Sequence, residues 1–214
     1  MHPTKAQTGL SKTSAKGSSA QLPSPALEWI WHYLRDIQHP HILDCGAASA
    51  ATINILVKRE AKLYVADLVA PLQRNDSAYW RRDEKQLFFC LDKFLTLLPQ
   101  IPPASLSLIC AWHLLDFVPR DQLAGLMTPL TSLLEPGGVF FCLLRESNLS
   151  SGGGERWWLE SLTTLGSSAD NSRKFAYPPL SNREVERLAD GGSIKTFLTR
   201  SHRREVVILK DGVT

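Results

Sequence analysis

The chain has 214 residues, 43% of them apolar and 21% charged, which is the size and balance of one globular domain plus a tail. No apolar run approaches the roughly 18 residues a membrane span needs, so a helical membrane protein is excluded. The formal net charge of +3 is matched by the three lysines of residues 1–22, a stretch without a single acid. The remainder is balanced, which argues against a strongly basic nucleic-acid surface and leaves only a local patch at His202, Arg203 and Arg204.

Residues 1–22 are rich in Ser, Thr, Lys, Gly and Ala. Too little apolar surface is available there to offset the entropy of ordering, so a disordered tail is expected, with the folded domain over residues 23–214. The tail lacks the apolar core of a secretory signal and the arginines of a transit peptide, and a cytoplasmic protein is expected. Cys45, Cys90, Cys110 and Cys142 fall in or beside predicted strands at no metal-ligand spacing. They read as reduced, buried small hydrophobes, with no metal site.

In chain order, Ser24 followed by Pro25 opens a helix whose Leu27, Ile30, Trp31 and Leu34 fall on one face. A short apolar strand over residues 42–45 carries Asp44 and runs into a turn of small residues, Gly46, Ala47, Ala48, Ser49 and Ala50. A helix over about residues 50–58 and a second strand over residues 63–66, closed by Asp67, follow. Residues 71–85 read as a weak helix or an exposed connection. A third strand is expected over residues 87–91, closed by Asp92, then a short helix stopped by Pro99.

The fourth strand, residues 106–111, leads into Trp112-His113 and then Asp116. A long helix from about Pro119 presents Leu123, Leu126, Met127, Leu130, Leu133 and Leu134 on one side, with a bend expected at Pro129. The fifth strand, residues 139–144, is wholly apolar, as buried parallel strands are. Gly152, Gly153 and Gly154 suggest a loop before a helix carrying Trp158, Leu159, Leu162 and Leu165. Ser181 and Glu184 form a capping box for a short helix. Two strands, over residues 194–199 and 205–210, close the chain as a hairpin.

Taken together, these pieces resemble the class I S-adenosylmethionine-dependent methyltransferases over residues 22–210. The matching stretches are ILDCG with Asp44 and Gly46, YVADL with Asp67 and Leu68, CLD with Asp92, and SLICAWHLLDFVP with Trp112 and His113. LLEPGGVFF and LSNREVERL complete the series. The resemblance implies a Rossmann-like, doubly wound α/β fold with a mostly parallel seven-stranded sheet and a C-terminal antiparallel hairpin. It implies S-adenosylmethionine as cofactor. Asp44, Gly46 and Ala48 would shape the turn beneath the methionine moiety, and Asp67 would accept from the ribose hydroxyls. Leu68 and Asp92 would meet the adenine, and Trp112 and His113 would stand beside the sulfonium, with His113 as a candidate general base.

Read from the residues alone, acids at strand ends cluster on one edge of a parallel sheet, where such sheets bind ligands. Asp44 and Asp67 equally serve as helix caps or strand terminators, and His113 as a packed residue below the turn. The family usually has glycines where this chain has Ala48 and Ala50. If both positions required positive φ, each alanine would cost roughly 1–2 kcal/mol.

Two functions compete. One is methyl transfer to a small or medium-sized acceptor, with Trp157, Trp158 and Tyr177 as candidate aromatic walls. The other is a non-catalytic module of the same fold that binds a protein partner. A nicotinamide-dependent oxidoreductase shares the acid after the second strand but fits the final hairpin poorly.

Overall fold

The computed structural model describes residues 20–74, 76–84, 86–146, 153–199 and 203–212. The tail expected over residues 1–22 lies outside them except for residues 20–22. These belong to strand β1 (Ala20–Pro23). Helix α1 (Pro25–Tyr33) follows the sequence rules closely. Ser24 Oγ accepts from Leu27 N at 3.1 Å, and Leu27, Ile30 and Leu34 are wholly buried.

Strand β2 (His41–Asp44), helix α2 (Ala50–Lys58), strand β3 (Lys62–Val65) and helix α3 (Val69–Gln73) come next. A 3₁₀ turn and strands β4 (Trp80–Asp83) and β5 (Gln86–Phe89) precede helix α4 (Leu91–Leu95). Strand β6 (Leu106–Trp112) leads through helix α5 (Leu114–Phe117) to helix α6 (Leu123–Leu133), which runs on through Pro129. The C-terminal carbonyls of α6 at Ser132 and Leu133 accept from Ala104 and Ser105. Strand β7 (Leu134–Arg145), strands β8 (Gly153–Ser161) and β9 (Thr164–Lys174), helix α7 (Asn182–Leu188) and strands β10 (Ser193–Leu198) and β11 (Arg203–Leu209) complete the fold. Both bonds of the Ser181–Glu184 capping box are present at the start of α7.

The main sheet has the order β10-β11-β7-β6-β2-β3, with β7, β6, β2 and β3 parallel and the last hairpin antiparallel. Alternate residues feed two cores. Leu43, Ile109, Phe140 and Val206 face α3, α5, α6 and α7, while Ile42, Leu108, Phe141 and Val207 face α1, α2 and the β8–β9 hairpin. No helix among the described residues is long and apolar enough to cross a membrane.

Two expectations are corrected. The sheet has six strands among the described residues, not seven, because β5 pairs antiparallel with β4 in a separate ribbon. Leu87 and Phe88 are 57% and 43% exposed there, whereas an interior parallel strand would bury both its faces. The segment expected as a helix around Trp158 is the β8–β9 hairpin, with β1 added along β9. Its burial has period two: Trp157 and Leu159 are inside, Trp158 and Glu160 only partly so. Gly166 opposite makes room for the Trp158 ring, which an added Cβ would strike.

Candidate functional site

The carboxyl ends of β2, β3 and β6 bring Asp44, Asp67, Trp112 and His113 to one edge of the sheet. Gly46, Asp67, Trp112 and His113, joined by Arg156 and Trp157 from β8, line a cavity there of about 20 Å³. That is room for about one water, against the roughly 300–1,000 Å³ of an ordinary ligand pocket. A larger cleft of about 290 Å³ lies at the opposite end of the strands, between α6, α7 and β11. The hydroxyls of Thr128, Thr131 and Ser132 that border it are bonded to carbonyls of their own helix.

Trp112 is one wall of the first cavity, and its ring abuts Gly46. Between β6 and β7 the register slips by one residue at this point: Cys110 faces Phe141 and Trp112 faces Cys142. Such a bulge redirects the side chains beside it. Trp112 also has φ +47, a left-handed backbone that costs a bulky residue about 1–2 kcal/mol. Its indole lies against Gly46, where an added Cβ would come within 2.8 Å of Cδ1 and Nε1. Nε1 donates to Asp44 Oδ1 at 2.6 Å, the same oxygen that accepts from Gly46 N at 2.9 Å. Glycine at position 46 is therefore required by the chain's own tryptophan. Asp44 is 3% exposed, and burial pushes its carboxyl above the ordinary range against the lowering effect of these two bonds.

The turn over residues 46–49 is covered from β8. Arg156 Nη2 donates to Ala48 O at 2.8 Å, Leu159 N donates to Thr52 Oγ1 at 3.0 Å, and Arg203 pairs with Glu155 at 2.7 Å while lying 4.2 Å over the Trp157 ring. Trp157 Nε1 and Arg156 Nε are buried without an acceptor among the described residues. Both residues border the cavity.

His113 is 4% exposed, and its Nδ1 lies 3.0 Å from Asp116 Oδ2. Asp116 accepts from Arg145 N at 3.1 Å, and the Arg145 guanidinium sits 3.5 Å from its second oxygen and 3.9 Å over Phe175. A carboxylate only accepts, so His113 Nδ1 carries the proton and a neutral ring keeps Nε2 as its acceptor.

Of the sequence candidates, Asp44, Gly46, Asp67, Trp112 and His113 converge, while Ala48 meets the site through its carbonyl. Asp67 Oδ1 accepts from Ala70 N at 2.9 Å, so this carboxylate also caps α3. Leu68 is wholly buried in the core beneath, not on a ligand wall. Asp92 is exposed on the first turn of α4 and is absent from the cavity lining, because its strand left the sheet. Trp157 lines the cavity, whereas Trp158 donates to Glu160 and Tyr177 offers its carbonyl to Arg145. Arg203 and Arg204 bond inward, and His202 lies outside the described residues. Sequence reasoning missed Arg156, Asp116 and Arg145. The spacing of Asp116 three residues after His113 was the available signal for the buried pair.

No family model and no curated protein sequence matches the chain. Among solved structures it is similar to a Sulfolobus solfataricus protein assigned to the type 11 methyltransferases, at 16% identity and TM-score 0.50, over 90% of this chain and 95% of that one. It is also similar to the Burkholderia thailandensis 1,6-didemethyltoxoflavin-N1-methyltransferase with bound 1,6-didemethyltoxoflavin and S-adenosylhomocysteine, at 17% identity and TM-score 0.46, over 87% and 77% of the two chains. For a Methanosarcina mazei S-adenosylmethionine-dependent methyltransferase the identity is 12% and the TM-score 0.48, over 86% and 98%. The likeness to the Sulfolobus protein shows the fold alone: an α/β fold of the kind that methyltransferase has.

The group this fold implies, S-adenosylmethionine, does not fit the cleft in this conformation. The carboxylates and the unpartnered donors suit its polar groups, but the Trp112 ring stands in the space above Gly46.

Proposed function

We propose that the chain is an S-adenosylmethionine-dependent methyltransferase-like protein acting on a small or medium-sized acceptor, with its cofactor cleft closed in the conformation described. The observation that carries this reading is the convergence of Gly46, Asp67, Trp112 and His113 on one cavity at the carboxyl ends of the parallel strands, with Asp44 bonded to two of them, Gly46 and Trp112. Ligands of open α/β sheets bind at that edge. Trp157 Nε1 and Arg156 Nε supply buried donors that have no acceptor among the described residues, and such groups are costly unless a partner or water meets them. Asp44, Gly46, Ala48 and Asp67 are the proposed cofactor-binding residues, Trp112 the residue that closes their site, and His113 the proposed base. Leu68 and Asp92 drop out of the set.

Isothermal titration calorimetry on the full chain with S-adenosylmethionine and with S-adenosylhomocysteine tests the reading. Saturable heat that is lost in Asp67→Asn is the expected result. Heat unchanged by that substitution would move the ligand away from β3.

No heat from either ligand at millimolar concentration, including in a chain from which the Trp112 ring has been removed, would overturn the cofactor reading.

A further inference from the structure

We infer that Trp112 is an internal occupant of the cofactor cradle, a gate that must leave before an S-adenosyl ligand enters; the inference rests on the S-adenosylmethionine reading above. Three separate observations meet at this residue. Its backbone is left-handed at φ +47, in the bulge that ends β6. Its ring occupies the place of a Gly46 side chain. Its one polar atom is paired to the buried Asp44 carboxyl at 2.6 Å.

A bulky residue holds a left-handed backbone only where its surroundings over-determine it. Here the surroundings are the Asp44 acceptor, the edge-on contact with Phe141 at 6.1 Å between ring centres, and the bare Gly46 floor. Of these, the hydrogen bond is the contact that a competing ligand can replace. Rotation of the indole out of the cradle would free the Asp44 oxygen and join the ring's space to the cavity that borders Asp67 and His113.

The cover from β8 belongs to the same closed state. Arg156 holds the Ala48 carbonyl, and Glu155 and Trp157 are tied to Arg203 on β11. The chain thus alternates between an indole-filled cradle and an open one, and only the open one binds. The apparent affinity is the intrinsic affinity scaled by the fraction of molecules that are open. Residues that lower that fraction weaken binding without touching the ligand.

The test is calorimetry with S-adenosylhomocysteine on full-length wild type, Trp112→Phe and Trp112→Ala, repeated for Trp112→Ala with millimolar free indole. Phenylalanine keeps a ring but loses the donor to Asp44; alanine removes the occupant. Affinity should rise at least about tenfold from wild type to Trp112→Ala, with Trp112→Phe between them. Free indole should raise the melting temperature of Trp112→Ala and compete with S-adenosylhomocysteine.

Equal affinity in wild type and Trp112→Ala overturns the gate while leaving the cofactor reading standing. If neither binds although indole still stabilises Trp112→Ala, the cofactor reading fails and takes the gate with it. Should Trp112→Ala not fold, Trp112→Phe decides, and an affinity equal to wild type overturns the gate.

Discussion

Trp112 Nε1 donates to Asp44 Oδ1 across 2.6 Å, joining the ends of two neighbouring parallel strands, β6 and β2, over the glycine that follows. The bond is buried, and burial raises the Asp44 carboxyl more than the Trp112 and Gly46 donors lower it. A folded-state pKa above the unfolded one means that the folded chain holds its proton more tightly. The stabilisation from this group is full below the unfolded value of about 3.9 and is lost as pH rises through the folded value.

Asp44→Asn keeps an oxygen for both donors and removes the buried charge. The melting temperature of the variant relative to wild type should therefore increase as pH is raised from about 4 and level off above the folded pKa of Asp44. Paired melting curves from about pH 3 to 8 check this, and a relative stability that falls with rising pH contradicts it.

Glu205 performs a long-range version of helix capping. Its Oε2 accepts from Ser24 Oγ at 2.8 Å and from Ala26 N at 2.9 Å, and the residue is 2% exposed. Glu205→Ala leaves two buried donors at the start of α1, each costing about 1–3 kcal/mol. Glu205→Gln retains an acceptor and should lose well under half as much. Urea unfolding of both variants gives the comparison; equal losses would remove the capping role.

Asp116 sits at 0% exposure between His113 and Arg145. Asp116→Ala strands a buried guanidinium and should cost about 3–5 kcal/mol. Nitrogen-15 NMR of the His113 ring gives a second readout that a packing defect alone would not move. The wild type should show the proton on Nδ1, and the variant should lose that preference.

The edge of the β8 strand is pinned to α2 by one hydroxyl. Leu159 N donates to Thr52 Oγ1 at 3.0 Å, and Thr52 is 2% exposed. Thr52→Val keeps the shape and removes the acceptor, at a cost of about 1–3 kcal/mol. Hydrogen exchange at the Leu159 amide should then speed up at least about tenfold, with little change in the strands of the main sheet. Uniform acceleration across the sheet would show instead that the hairpin and the sheet open together.

Local rules carried much of the fold. Ser24-Pro25 opens α1, the run over residues 50–58 is α2, and the Ser181–Glu184 box opens α7, since each of these depends on residues within one turn of one another. The β8–β9 hairpin escaped because Trp158, Leu159, Leu162 and Leu165 satisfy helical spacing, while the strand alternation that buries Trp157, Leu159 and Leu165 runs through different positions. What decides between them is the partner strand, β1, and the α2 surface beneath. β5 was expected in the main sheet from its apolar content, and the tight turn at Glu84, with φ +45, turns it back on β4 instead.

At the site, the acids and His113 were legible as strand-end residues, and the structure brings Asp67 and His113 to one cavity. The direction of Trp112 was not, because it depends on a one-residue slip against β7 that only the packed sheet defines.

The bond between Ser24 and Glu205 spans 181 residues. In the order of synthesis α1 is made long before the strand that completes its amino-terminal cap. At about 5–20 residues per second the delay is roughly 9–36 seconds. Until then α1 has only the local Ser24–Leu27 bond at its start, so the first helix of the domain is among the last to reach its full complement of partners. A nascent chain stalled before β11 would carry α1 on its local cap alone.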